Sequence, residues 1–332
     1  MRYPTTLLLI ALAIFLPCFG IALYQEPVDG DLTRIGYLPE RQFGWNDPQP
    51  VQAVRANGKS LEGADVVVLG DSFSQKNVWQ SAFSDLTGAR VVTFDYGDIG
   101  CFANWRSWLL AQPRLPRLVI VQTVERNLVE RFKAPRPCRS VEPRPIRVEA
   151  GATAAERPRF PRGGINAAYL FKVLGRDAKT AADGRLATGE VVVAGLDRAD
   201  LFSSRATGRI LYYAGDEDKI GAWTPGDLDG VAATLNGFAA ELAGRGSRVA
   251  FAVVPDKLTA YYAHVRPQPA PAERYPDSMG LLRGRVAGLV DLKTPFLEAI
   301  AANRDLYKPD DTHLSTRGYQ LMARTIADSL PK

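Results

Sequence analysis

The chain has 332 residues, 46% of them hydrophobic, enough for one large domain with a complete core and too apolar for a disordered polymer. Its net charge of +5 is the small excess of 41 basic over 36 acidic residues, a bias too weak and too dispersed for a nucleic-acid partner. With two histidines and no Cys-x-x-Cys pair the inventory for a zinc centre is poor, and neither metal nor cofactor is expected.

In chain order, Leu7 to Tyr24 is an uncharged apolar run preceded by one cation, Arg2. Such a run is a short membrane anchor or a signal peptide, and either exports the remainder of the chain. Pro17 and the small residues Gly20 and Ala22 favour cleavage; the near-spanning length favours retention, and an inner-membrane anchor with the rest in the periplasm is the expectation. Phe15 and Pro17 stand where a lipoprotein signal needs a branched aliphatic and a small residue, so Cys18 is read as part of the apolar segment. Cys101 and Cys138 remain for an oxidising compartment, where a disulfide between them is expected. Two unrelated buried thiols are the alternative, because sequence separation does not fix a Cα distance.

Residues 25–60 mix Pro, Gly and charge without a sustained period and read as a linker packed partly on the domain that fills 61–332. Asp65 to Leu69 is an apolar run ending at Gly70, the pattern of a strand buried on both faces. A helix is predicted over Val78 to Leu86, a strand over Arg90 to Phe94, a helix over Asn104 to Gln112 and a strand over Leu118 to Gln122. Residues 131–163, rich in Arg and Pro, read as an insertion, a stiff solvated loop rather than a basic lip for an anionic polymer. Asp227 to Leu242 has helical spacing, Arg248 to Val254 is a further buried strand, and Leu289 to Leu292 a shorter one. Lys293 to Ala302 and Thr316 to Leu330 close the chain as helices. Alternating strands and helices predict an α/β fold, a three-layer αβα sandwich on a mostly parallel sheet.

Gly70-Asp71-Ser72-Phe73 puts a serine at the carboxyl end of the first strand, where α/β sheets place ligand sites, with a helix N-terminus beyond it to favour an oxyanion. Near the other end lies Asp310-Asp311-Thr312-His313. A serine nucleophile needs a base that titrates near neutrality, and a carboxylate three residues before His313 can orient its ring, so Asp310 is the expected acid, with Asp311 the alternative. His264, beside Tyr261 and Tyr262, reads as a surface residue rather than a sugar contact. Trp79, Trp105 and Trp108 are at helical spacing, as core residues are, although aromatic faces here could stack on sugars.

The strand-GDSF start and the DDTHLSTRGY finish resemble the first and last blocks of the SGNH (GDSL-type) hydrolase superfamily, over roughly residues 64–330. The resemblance implies Ser72 as nucleophile, His313 as base, Asp310 as acid, and an oxyanion site to which Gly100 contributes its amide. The family's G-x-N-D block is altered: Arg126 stands at the oxyanion asparagine, as a donor to the oxyanion, a holder of an anionic substrate, or a buried partner of Glu125 or Glu130. The V-x-E-R pattern, Val254 to Lys257, and Gly30 to Arg34 are similar to the periplasmic alginate O-acetylation proteins and their relatives, in which an Asp-x-His motif precedes the serine. That likeness implies acetyl transfer to an extracytoplasmic polysaccharide, with acetyl groups supplied through a membrane-bound O-acyltransferase. The alternatives are a polysaccharide acetylesterase using the same residues and a non-catalytic polysaccharide-binding scaffold, against which the intact Ser72, Asp310 and His313 argue.

Overall fold

The computed structural model describes residues 2–24, 30–135, 137–138, 141–153, 172–175, 178, 186–188, 190–221, 223–269 and 278–330. Helix α1 (Arg2–Tyr24) is followed by the short helices α2 (Asp31–Gly36) and α3 (Glu40–Phe43) and strand β1 (Ala53–Val54). Next come β2 (Val66–Gly70), α4 (Val78–Thr87), β3 (Val91–Asp95), α5 (Tyr96–Ile99), α6 (Phe102–Leu110), β4 (Leu118–Val124), α7 (Leu128–Phe132) and β5 (Gly151–Ala152). The middle holds β6 (Leu186–Thr188), β7 (Val191–Leu196), β8 (Arg209–Tyr213), α8 (Ala214–Gly221), α9 (Pro225–Ala243) and β9 (Arg248–Val254). The chain continues through α10 (Lys257–Tyr261), β10 (Val265–Arg266), α11 (Ser278–Leu282), β11 (Leu289–Val290), α12 (Lys293–Ala302) and α13 (Thr316–Ser329).

The main sheet runs β11-β9-β4-β2-β3, every neighbouring pair parallel. Its inner strands β2 and β4 are buried throughout because both faces are covered, and the pleat sorts their side chains between two cores. Val66 and Val68 join one core with Trp79, Phe83, Met322 and Ile326 of α4 and α13. Val67 and Leu69 join the other with Phe102 and Trp105 of α6 and Phe238 and Leu242 of α9. Each aliphatic side chain so buried stabilises the fold by about 1.5–3 kcal/mol. Trp79 and Trp105 are fully buried and Trp108 packs on Phe94 at 5.0 Å, so all three are packing residues rather than sugar platforms. Helix α9 starts on a Thr224/Asp227 capping box with Pro225 just inside, which satisfies amide groups the helix leaves open.

A second, antiparallel sheet lies beyond the sequence expectation: β7 pairs with β6, β8 and β10. Val192, Ile210 and Tyr212 belong to the first core, whereas Val191, Val193 and Leu211 face Leu32, Leu38 and Phe43. Residues 30–57 are therefore no linker but part of the domain: α2 and α3 cover this sheet, and β1 pairs antiparallel with β5. The amino-terminal helix α1 contains one stretch, Tyr3–Gly20, long and apolar enough to cross a membrane, as a signal or an anchor would be.

Cys101 and Cys138 form a disulfide with their Cα atoms 6.1 Å apart, tying the start of α6 to the segment beyond α7. Replacing Cys138 by Ser should cost about 2–4 kcal/mol of unfolding free energy. Denaturant melts of parent and variant, with and without reductant, check this: the difference should vanish once the parent is reduced.

Candidate active site

Ser72 lies just past the carboxyl end of β2, on a turn that the sequence braces from below. Gly70 is required because a Cβ there would lie 2.1 Å from Ser74 Oγ. Ser74 Oγ donates to Gln122 Oε1 at 2.7 Å and accepts from Trp79 Nε1 at 3.0 Å. Asp71 is the hub. Its Oδ1 accepts from the Phe73 amide and Gln122 Nε2, and its Oδ2 from the Val124 amide and Arg131 Nη1. A carboxylate with four donors holds its loop far more rigidly than a single bond would. Ser72 itself is exposed. Helix α4 begins at Val78, where the spacing predicts it, after the Asp71–Ser74 and Ser74–Asn77 turns.

His313 comes from the loop ahead of α13. Its Nε2 lies 2.8 Å from Ser72 Oγ and its Nδ1 2.8 Å from Asp311 Oδ1, which also accepts the His313 amide at 3.1 Å. With Nδ1–H donated to Asp311, Nε2 is free to accept the serine proton. Phe73 packs on the imidazole at 4.7 Å. Burial pushes Asp311 up, but the hydrogen bond to His313 and the nearby charges of His313 and Lys308 outweigh it and hold Asp311 well below the carboxylate range.

The expected Asp310 is thus replaced by Asp311. The loop turns so tightly that the side chain two residues back reaches the ring, while that of Asp310 is buried against Glu40. Burial, then the contact with Glu40, raises Asp310 well above its ordinary value. Its carbonyl accepts the amides of Leu32 and Thr33 at 3.0 and 3.2 Å, docking α2 on the histidine loop. The loop is gripped from behind by Lys257, which sequence reasoning missed: its buried Nζ donates to the carbonyls of Lys308, Pro309 and Asp311 at 2.7, 2.9 and 3.0 Å. Three acceptors match the three N–H groups of an ammonium, although burial lowers Lys257 to about 7 against the pull of nearby carboxylates.

The other two expected site residues lie elsewhere. The Gly100 amide donates to Tyr96 O at 3.0 Å as the cap of α5, so it is not available to an oxyanion. Arg126 is drawn into a buried ion cluster: Nη1 bonds Asp216 at 3.1 Å and also Asp256, whose Oδ2 accepts the Arg126 amide at 2.8 Å. Its partners are those two aspartates rather than Glu125 or Glu130, and the site cavity does not include it. His264 sits on the surface, its Nδ1 3.0 Å from Asp197.

A cavity of about 540 Å³ opens beside Ser72 and His313. Gln75, whose Nε2 donates to Asp95 Oδ2 at 2.8 Å, lines it together with Lys76 and Lys308. Part of the Arg/Pro-rich insertion forms its wall. Ile146 donates to the Thr93 carbonyl, β5 pairs with β1, and Glu149 and Thr153 reach the cavity, so this stretch is not a free solvated loop; residues 154–163 lie outside the described residues. Asp31, Asp311 and His313 place ligand atoms within 4.8 Å of one another, the grouping among the described residues that could hold a metal ion. In the arrangement seen, both ring nitrogens of His313 are already engaged, by Asp311 and Ser72.

The α/β chain sets an exposed serine at the end of a parallel strand and hydrogen-bonds it to a histidine near the carboxyl terminus, a geometry able to activate a serine nucleophile. Consistent with this, residues 213–332 match the family model described as the SGNH hydrolase-like domain of acetyltransferase AlgX, which supports the SGNH/AlgX-like resemblance. The matched part contains Asp311 and His313; Ser72 lies upstream of it. Neither the curated proteins nor the solved structures yield a significant match.

This geometry separates three substitutions by their effects. Asp311→Asn should slow turnover of a small acetyl ester by about 10³-fold or more, by losing the partner that fixes the imidazole. Asp310→Asn should leave the rate near that of the parent. Because the folded state raises Asp310, its contribution to stability is complete below about pH 4 and is lost as pH rises through the raised value. Melting curves against pH should therefore show the Asp310→Asn protein losing less stability than the parent above pH 4. Arg126→Ala, which strands two buried carboxylates, should cost about 3–5 kcal/mol in a denaturant melt, with activity falling only in proportion to folded protein. A hundredfold loss of kcat in fully folded protein would instead put Arg126 at the oxyanion.

Proposed function

We propose that the protein transfers acetyl groups to an extracytoplasmic polysaccharide through an acetyl-enzyme on Ser72, on a three-layer SGNH-type fold carried into the periplasm by its amino-terminal segment. The observation that carries the reading is the pair of contacts from Ser72 Oγ to His313 Nε2 and from His313 Nδ1 to Asp311 Oδ1, each 2.8 Å, opening on the 540 Å³ cavity. In the first half-reaction His313 Nε2 takes the serine proton as Oγ attacks the acetyl carbonyl, and Asp311 stabilises the imidazolium. The tetrahedral oxyanion is met by the Ser72 amide, with the side-chain amide of Gln75, which lines the cavity, as a second neutral donor. Collapse returns the proton from His313 to the leaving oxygen. In the second half-reaction a sugar hydroxyl gives its proton to His313, attacks the acetyl-serine, and leaves as the O-acetyl sugar while Ser72 recovers a proton. The acetyl donor is supplied at the membrane by an O-acyltransferase, next to which α1 would hold the domain.

The exposure of Ser72 favours a second reading, an acetylesterase, because water has access to the same acyl-enzyme. Incubation with an activated acetyl ester should add one acetyl group to the intact mass of the parent and none to Ser72→Ala. Equal labelling of the two would remove the serine mechanism. With the acyl-enzyme in hand, faster deacylation in the presence of an oligosaccharide, with acetylated sugar as product, marks a transferase; a rate indifferent to sugar marks the esterase.

A further inference from the structure

The residues just beyond α1 reach the proposed catalytic histidine. Asp31, the first residue of α2, lines the cavity, and its Oδ2 lies 3.5 Å from His313 Nδ1, the nitrogen that Asp311 Oδ1 holds at 2.8 Å. The placement is built rather than incidental. Arg34 Nη2 takes the other oxygen of Asp31 at 2.8 Å, leaving Oδ2 to the ring. The Leu32 and Thr33 amides donate to the carbonyl of Asp310, and Thr33 Oγ1 donates to Glu40 Oε2 at 2.6 Å, locking α2 to α3. Immediately before Asp31, Gly30 meets Asp310 so closely that a Cβ would lie 2.1 Å from its carbonyl oxygen. Leu32 is 1% exposed, packed with Val191 and Leu211 on the antiparallel sheet. The segment thus has little freedom to withdraw Asp31 from the ring.

We infer that Asp31 is a second carboxylate for His313, a positioning residue that shares with Asp311 the work of orienting the ring and stabilising the imidazolium. The inference rests on the serine reading above. At 3.5 Å, with its side chain 39% exposed, Asp31 is the weaker partner while Asp311 is present. Without Asp311 it is the remaining acceptor placed to take the Nδ1 proton, so its contribution should grow. Lys308, Lys76 and Glu149 also line the cavity, and Lys257 acts from behind through backbone carbonyls.

The test is a double-mutant cycle on the full-length chain in detergent, with the rate of Ser72 acetylation by an activated acetyl ester followed by intact mass. Asp31→Ala should slow acetylation about 3-fold in the parent. In an Asp311→Ala background the same change should slow it about 10-fold or more, because among the described residues it removes the remaining carboxylate partner of the ring. Asp31→Glu should restore most of the loss in that background. The same factor in both backgrounds, or no effect in either, overturns the inference. So does a smaller reactive fraction with an unchanged rate per reactive serine and a lowered melting midpoint, the signature of a purely structural residue. Parent activity abolished by a chelator and restored by a divalent cation would also overturn it, by making Asp31, Asp311 and His313 ligands. If Ser72→Ala labels as fast as the parent, the serine reading falls and this one with it; labelling that needs Ser72 but not Asp31 sinks this one alone.

Discussion

The carboxyl edge of the parallel sheet gathers buried charges that cannot stand alone in a low-dielectric interior, and their need for partners ties the candidate site together. The Asp71 carboxylate beside Ser72 is satisfied by groups on β4 and by Arg131. Just past β4, Arg126 is satisfied by Asp256, just past β9, and by Asp216. The next residue, Lys257, is satisfied by the carbonyls of the histidine loop. Each contact links one loop to its neighbour, and the series joins residue 72 to residue 313 without a covalent cross-link between them. Unpaired, any of these groups would cost several kcal/mol, so the loops hold one relative arrangement. The same series explains why Arg126 stands where the resemblance places a neutral oxyanion donor: it serves the scaffold instead.

Legibility in the sequence tracks how local the causes are. Arg248–Val254 and Lys293–Ala302 coincide with their expected spans because one is apolar from Val249 onward and the other has helical spacing with its proline, Pro295, confined to the first turn. Ser72 and His313 are legible from the strand-turn and the loop-helix contexts. The acid is misassigned because spacing alone does not say which way a turn points its side chains; Asp311 faces the ring only because Lys257 and the Leu32 and Thr33 amides fix the loop from outside. The antiparallel sheet is invisible for a similar reason. Val191–Leu196 pairs with three short strands, β6 and β8 nearby and β10 far downstream, and its two faces are covered by elements distant in sequence. Residues 30–45 look like linker since their apolar residues, Leu32, Leu38 and Phe43, form a face only against that sheet.

The cavity wall has the same character. Neither β1 nor β5 is longer than two residues, and neither is a strand by propensity; each exists because the other supplies the hydrogen bonds. Asn57 secures the pair by taking the amide of Thr93 and donating to the carbonyls of Thr93 and Ile146. The disulfide at Cys138 holds the same stretch at its other end. A wall of two-residue strands leaves one side of the cavity set by loops, while the serine and histidine side is set by the core.

The docking of α2 on Asp310 joins a segment from early in the chain to the loop that carries His313. The chain is made from its amino terminus, so the apolar face of α2 waits for Val191, Val193 and Leu211, and its amides wait longer still, for Asp310. The contact that places Asp31 beside His313 is therefore among the last to form, with the interval between the two segments acting as a built-in delay.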